Sequence, residues 1–338
     1  MKTIRWGLVL CIMVSVALIL PGQVSAGAKQ VQIKCGVPGV PSELYVQGML
    51  AIAATAKAEG AKRGYEINMQ VFPNSSLGGG SQQAELELLQ AGAIQMLNYS
   101  SANFAAFEPK ISILSMPFLF AGFDDAYKFY SSPFVEEITA GLDKKGIKVL
   151  GMFVRGFRQL TNSKRSVRSL GDLKGLKVRV MNSPLYVSIF EALDAKAVPM
   201  SFSEVYTGLQ LGTIDGQENS ADSIKSTKVY EVQKFLTLWN YSTDSAVIAV
   251  STKWWGELDD TVKNILMTAI KTEEKQQYTL VQQKEEEAVA FLKASLKIET
   301  LEPAEQARLK EATKKIWDKN EAVFGKDLIE RVQKFMKK

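Results

Sequence analysis

The chain has 338 residues with 41 Lys+Arg against 36 Asp+Glu and no histidine. Without histidine it lacks the usual general base, the commonest zinc ligand and every Ser-His or Cys-His nucleophile. The mild positive balance, with no basic stripe interleaved with aromatics, gives no reason to expect a nucleic acid partner. No Walker loop, G-x-S-x-G elbow, G-x-G-x-x-G or paired-cysteine motif is present, which argues against catalysis, although carboxylates, lysine or tyrosine could still carry it.

In chain order, residues 1–26 read as a cleaved secretory signal: Lys2 and Arg5, an apolar run over 6–20, then Val24-Ser25-Ala26 as the small-residue cleavage pattern. The run is too short for a retained anchor. Cys11 sits inside it without the small residue that precedes a lipidated cysteine. Removing Lys2 and Arg5 takes 41 basic residues to 39 against 36 acidic ones, a net +3, and leaves Cys35 as the one cysteine. No internal disulfide is then expected, so hydrophobic burial must hold the fold. A mature chain of roughly 310 residues can bury about three quarters of its unfolded surface, enough for two α/β domains.

Residues 31–37 read as a strand, followed by a Gly/Pro turn, a helix over 44–58 and a second strand over 66–72. Leu77-Gly78-Gly79-Gly80-Ser81 opens a helix running to about Gln90, with Ser81 as its N-cap; such a helix start could also receive an anionic group if it faced a cleft. Residues 94–97 form a third strand. This rhythm predicts an open, mostly parallel sheet with helices on both faces, binding ligands at the carboxyl ends of its strands. A second α/β unit begins near the strand 148–153 and continues through the strand 177–181, the helix 185–193, the strand 198–200 and a helix over 203–211 stopped by Gly212. In 177–181, Val178 and Val180 share one face, and Lys177, Arg179 and Met181 the other. Arg179 is therefore either a surface charge or, if that face lines a cleft, a site for an anion. Residues 257–302 contain neither glycine nor proline, and the apolar spacing fits one long helix or two abutting ones. A continuous helix over 255–292 would measure about 57 Å at ~1.5 Å per residue, long enough to cross both domains.

Four segments carry a resemblance: PFLFAGFDDAYKF (117–129), GFRQLTNSKRSVRSLGDLKGLKVRV (156–180), VPMSFSEVYTGLQLGTIDGQEN (198–219) and YEVQKFLTL (230–238). In matching order from about Val31 to the C-terminus, the chain resembles the substrate-binding proteins of tripartite ATP-independent periplasmic (TRAP) transporters. The resemblance implies an α/β, two-lobed, type II-like periplasmic binding protein, a Venus flytrap with a long helix crossing both lobes. It implies a division into the signal 1–26, lobe I from 27–155 plus 245–283, and lobe II from 156–244 plus 284–338. It also implies a periplasmic protein that is not an enzyme and has no cofactor. Its partners would be a small organic acid and the membrane permease subunits. An exported sensory binding protein and, less well supported, an exported organic-acid enzyme are the rival readings.

In the family, an arginine in the strand matching KVRV makes a two-pronged salt bridge with the substrate carboxylate; that residue is Arg179. Arg158 matches the GxR segment, Phe202 the aromatic before SEVY, Asn219 the close of DGQEN, and Asn182 a pocket-lining position. Each fits on chemical grounds. A guanidinium fork matches both oxygens of a carboxylate, an asparagine offers donor and acceptor, and Phe202 can wall a carbon skeleton. Glu218 joins the candidate list. With Asp215 it could suggest a glycosidase pair or a calcium site, but bracing the loop through backbone N–H groups is the simpler role, and no metal is expected.

Ser100 and Asn103 stand where sialic-acid-binding relatives bring a glutamate and an arginine, and Trp239 and Tyr241 replace smaller or histidine residues. The expectation is a small acid with an apolar or aromatic body, and not a sialic acid, walled by Tyr99, Phe157 and Trp239; alternatively some of these aromatics only pack the hinge. Closure would bring Tyr99, Ser100 and Asn103 of one lobe against Arg158, Arg179, Phe202 and Asn219 of the other.

Overall fold

The structure, a computed structural model, describes residues 27–337. The expected signal at 1–26 lies outside the described residues. The chain opens with β1 (Lys29–Gly36), α1 (Leu44–Ala61), β2 (Tyr65–Phe72), α2 (Gln82–Ala91) and β3 (Met96–Ser100). In β1 and β2 the buried positions alternate, Ile33 and Cys35 in one and Ile67 and Met69 in the other, as a half-covered strand requires. In α1, Tyr45, Met49, Ile52 and Ala56 recur at helical spacing and are all buried. Ser81 caps α2, its hydroxyl accepting from the Ala84 N–H at 3.2 Å. Next come α3 (Phe123–Tyr130), α4 (Phe134–Asp143) and β4 (Ile147–Phe157).

After one residue, Arg158, the chain enters a second sheet at β5 (Gln159–Asn162). It continues through β6 (Lys177–Val180), α5 (Pro184–Ala192), β7 (Lys196–Pro199), α6 (Val205–Gln210), β8 (Gly216–Asn219), α7 (Ala221–Ser226) and β9 (Phe235–Leu238). It then returns through β10 (Thr243–Ser251), α8 (Thr252–Glu257) and α9 (Asp260–Leu292), and finishes with β11 (Lys297–Thr300), α10 (Pro303–Lys319), α11 (Glu321–Phe324) and α12 (Lys326–Met336). The first sheet has the order β2-β1-β3-β10-β4 and the second β11-β9-β5-β8-β6-β7.

The sheets are more mixed than the βαβ rhythm predicts. β10 runs antiparallel between β3 and β4, and β5 runs antiparallel between β8 and β9. The cause is the double crossing: β4 continues into β5 and β9 returns into β10, so each sheet receives a strand from the other. For the same reason the strand at 148–153 opens no second unit. It is the edge strand of the first sheet, extended to Phe157 and carried over. The long helix is 33 residues, about 50 Å at ~1.5 Å per residue. It starts later than its apolar pattern suggests because Asp259 caps it, accepting from the Val262 N–H at 3.0 Å.

Along α9 the buried stripe changes character. Val262, Ile265, Leu266, Ala269 and Ile270 join the core that α1 forms on the first sheet. Ala288 and Leu292 join Ala221, Ile224 and Leu236 of the second. Between them the buried positions include Glu273, Gln277 and Glu285, where the helix passes the junction. The opposite face of the first sheet packs in a cluster that continues through Trp239 and Tyr241 to Val178, Tyr186 and Phe190 of the second. The C-terminal helices depart from the expected placement of 284–338 on the second lobe. α10 packs against α5, but α11 packs against 109–115, and α12 docks on α4 through Arg331 to Glu137 at 2.6 and 2.9 Å, and on Phe129 and Phe134 through Phe335.

Polar contacts join the two halves away from this apolar side. The Leu44 N–H donates to Asp222 at 3.0 Å, and the Ser223 hydroxyl donates to Glu43 at 2.5 Å. Glu285 accepts from the Ala221 and Asp222 N–H groups at 2.9 and 3.1 Å, a carboxylate at the start of α7. Burial pushes both Glu43 and Glu285 up to about 7, against the lowering by Arg155 and by these hydrogen bonds.

Two predictions test this packing. Gly216 lies where a Cβ would come within 2.2 Å of the Thr161 carbonyl oxygen. Gly216→Ala should therefore cost about 1–3 kcal/mol, read as a lower urea midpoint at unchanged slope; an unaltered midpoint would contradict the close approach. Glu43 and Glu285 have folded pKa values above their unfolded value of 4.5. Their contribution is thus complete below about pH 4.5 and lost as pH rises through about 7, up to about 3 kcal/mol for each. Thermal unfolding should come at lower temperature at pH 8 than at pH 5.5, and Glu285→Gln should flatten the slope; a profile rising over that interval would refute the assignment.

Candidate functional site

The alternation in β6 decides where Arg179 goes. Val178 and Val180 are buried in the second sheet's core, while Arg179 and Met181 line a small cavity between the sheets. Phe202, after β7, and Asn219, at the end of β8, complete that wall. The opposite wall comes from Pro38, Tyr45, Gln82, Ser100 and Asn103. Arg155 and Arg158, at the crossing from β4 to β5, close the cavity between them. The crossing is held by the Arg158 N–H, which donates to the Ser242 carbonyl at 2.8 Å.

The three arginines differ in their partners. Arg158 places Nε and Nη2 on both carboxylate oxygens of Glu218, with Nη2 also 2.7 Å from the Glu218 carbonyl and Nη1 3.3 Å from Asp244. The Tyr241 hydroxyl donates to the same Glu218 at 2.9 Å. Burial is the largest influence on the Arg158 charge and opposes it, but Glu218 together with its other neighbours, Asp244 among them, outweighs it and raises its pKa. Arg155 lies 4.4 Å over the Tyr45 ring and donates to Asp244 at 3.3 Å and to the Ser223 hydroxyl at 2.8 Å, with Glu43 at 3.8 Å. Arg179 is 1% exposed, and its hydrogen-bond acceptor among the described residues is the Met200 carbonyl, at 3.0 Å from Nε and 2.7 Å from Nη2. A carbonyl satisfies donors but carries no charge. Burial pulls the Arg179 pKa down to about 9, with Glu218 partly offsetting it and Arg158 adding to the fall. Nη1 has no hydrogen-bond acceptor among the described residues, and the guanidinium carbon lies 5.7 Å over the Phe202 ring.

The neutral wall is also set by local structure. Gln82 opens α2; its Nε2 donates to Asn103 at 3.3 Å, and its carbonyl oxygen accepts from the Phe202 N–H at 3.1 Å, across the cleft. The Ser203 hydroxyl reaches the Gly80 carbonyl at 2.8 Å beside it. The Gly-rich stretch thus serves as a capped turn and also as part of the cavity rim. Ser100 donates to Asp244 at 2.8 Å, and Asn219 accepts from the Ser220 N–H at 3.0 Å.

Of the sequence candidates, Arg158, Arg179, Phe202, Asn219, Ser100 and Asn103 meet at this cavity. The others do not. Asn182 is exposed, because the strand ends at Val180 and the chain turns into α5. Tyr99 points to the other face of β3, its hydroxyl donating to Glu85 at 2.6 Å. Phe157 packs edge-on to Phe123 behind the junction, and Trp239 packs on Phe190 and Tyr241. Glu218 sits behind Arg158 and braces it; Asp215 braces the loop by accepting from the Lys177 N–H at 2.9 Å. Phe157 and Trp239 therefore pack the junction and Tyr99 packs behind β3, and the cavity is lined by three arginines, amides and the Ser100 hydroxyl together with Tyr45, Phe202, Met181 and Pro38. Sequence reasoning missed Arg155, Gln82 and Tyr45. For Arg155 the available signal is a cation inside the apolar run 149–157. Among the described residues three arginines and no carboxylate line the cavity, an arrangement suited to an anion.

Comparison with known proteins agrees. The model of the bacterial extracellular solute-binding proteins, family 7 (DctP), matches residues 43–322. The 2,3-diketo-L-gulonate-binding periplasmic protein YiaO of Escherichia coli is 34% identical over 68% of this chain and 69% of its own. The C4-dicarboxylate-binding periplasmic protein DctP of Vibrio cholerae is 34% identical over 78% of each. The crystal structure of the sugar acid binding protein of Advenella mimigardefordensis with galactonate superposes with a TM-score of 0.87 at 28% identity, covering 92% of this chain and 99% of that one. The chain therefore belongs to the family 7 bacterial extracellular solute-binding proteins and is a TRAP-type solute-binding protein, not an enzyme.

Proposed function

We propose that the protein works in the periplasm, exported by residues 1–26 as a cleaved signal. There it captures a small organic acid on Arg179 by a two-pronged salt bridge and presents the closed complex to the permease subunits of a TRAP transporter. The observation that carries this is the buried Arg179 guanidinium with only a carbonyl for partner. An unpaired buried cation costs several kcal/mol, and a carboxylate on its open edge removes that cost with charge-assisted hydrogen bonds. The names of the three relatives above support the same chemistry, since each describes a carboxylic acid.

Closure follows from the placement of the walls. Lobe I takes in 27–155 and 245–283 and lobe II 156–244 with the chain from 284 through α10, while α11 and α12 return to lobe I. A ligand held by Arg179 on one lobe and by Gln82, Ser100 and Asn103 on the other favours the state in which both sets are within reach. Arg158 and Arg155 lie at the crossing strands, where neither lobe must move far from them.

Arg179→Gln should abolish the thermal shift and the small-angle-scattering compaction produced by a panel of polyhydroxy, 2-oxo and four-carbon acids. The ligand-free protein should be as stable as the parent or more so, by about 1–3 kcal/mol, because a buried unpaired charge has been removed. Normal compaction with undiminished affinity in this variant would exclude Arg179 as the anchor.

A further inference from the structure

The charges around the cavity are unevenly matched. Arg158 is paired with Glu218, and Asp244 lies 3.3 Å from both Arg158 and Arg155. Glu43 stands 3.8 Å behind Arg155. Only the third guanidinium, Arg179, has no carboxylate in salt-bridge contact among the described residues. A first negative charge on a ligand thus meets an uncompensated cation. A second one would meet arginines already neutralised, with Asp244 beside them to repel it.

The wall facing Arg179 has no cation at all. Its polar groups are the amides of Gln82 and Asn103, the hydroxyl of Ser100 and the Tyr45 hydroxyl, which has no hydrogen-bond partner among the described residues. Ser100 already donates its proton to Asp244 and accepts from the Ala102 N–H at 3.2 Å, so toward a ligand its oxygen offers one remaining lone pair. The Asn103 oxygen is taken by Gln82, so its amide N–H groups remain to donate. One acceptor and one donor side by side suit a hydroxyl or keto group and give a carboxylate no counter-charge.

We propose that this site selects monocarboxylic acids whose remaining carbons carry hydroxyl or keto groups, and discriminates against the corresponding dicarboxylic acids. The inference rests on Arg179 as the carboxylate anchor, and it adds the identity of the ligand's far end.

The test uses pairs that differ only in that end: erythronate against meso-tartrate, and gluconate against glucarate, by titration calorimetry on the full mature chain. In whichever pair binds, the monoacid should be at least 10-fold tighter. Asn103→Lys, which puts a cation on the neutral wall, should move the monoacid-to-diacid ratio at least 10-fold toward the diacid. Gln82→Lys serves the same purpose if the first variant does not fold, and a ratio cancels general losses of affinity. A diacid bound as tightly as its monoacid overturns the inference; if Arg179→Gln abolishes that binding, the anchor role survives. Binding of neither pair, with no response to the acid panel above, overturns the inference and the carboxylate reading together.

Discussion

A guanidinium buried without a counter-ion is the constraint on which this structure depends. Three arginines reach the same cavity, and their side chains are chemically identical. Partners distinguish them. Glu218 takes the fork of Arg158, supported by the Tyr241 hydroxyl, and so turns that arginine into part of the frame. Asp244 draws Arg155 into the same network. Arg179 receives only the Met200 carbonyl. Since truncating one partner of a buried ion pair leaves the other charge exposed to a low dielectric, the framework arginines resist change for reasons of stability, whereas Arg179 carries a burial cost that the proposed ligand carboxylate would offset.

The junction between the sheets is asymmetric in a way that matches this division. On the hinge side, Trp239, Tyr241, Phe190 and Phe157 pack in apolar contact, and the core runs on from one sheet to the other. Apolar surfaces of this kind are costly to part. On the cleft side, contacts are hydrogen bonds between groups that water can satisfy equally well: Gln82 to the Phe202 N–H, Ser203 to Gly80, Ser223 to Glu43. Exchanging such bonds for water changes the free energy little, so opening on this side is cheap. The polar stretch of α9 at Glu273, Gln277 and Glu285 lies between its two apolar ends, where the helix must serve both lobes.

How much of this was legible in the sequence varies with the type of signal. Strand alternation placed Arg179 and Met181 together and away from Val178 and Val180, because a four-residue strand packed on one side obeys the period of two. The family match, by contrast, places Asn182 in the pocket, whereas the residue is exposed because the chain has left the strand. The run without glycine or proline gave the long helix. The aromatics misled, since a hinge core and a ligand wall are both apolar and composition cannot separate them: Tyr99, Phe157 and Trp239 went to packing. Strands β5, β8, β9 and β10 were not read, nor was β11, which falls inside the run 257–302 read as helical. Their partners come from distant parts of the chain, and β10 is buried along its whole length, so no alternation marks it. Arg155 was visible only as a cation interrupting an apolar strand, and whether such a residue is paired depends on Asp244 and Glu43, far away in sequence.

That last point separates a motif from a site. The segments that carry the family resemblance identify which arginines occupy the cleft, but they cannot say which of them is free to bind, because that depends on acids supplied by β8, β10 and the start of α1. In this chain those acids neutralise two of three guanidiniums and leave the opposite wall uncharged. On the proposed reading, anchoring and discrimination fall to different lobes: the second sheet would fix one carboxylate, and the first would read what lies beyond it with amides and hydroxyls. A fold that divides the work in this way can change its ligand by altering the neutral wall while the buried charges, which are bound into the framework, stay as they are.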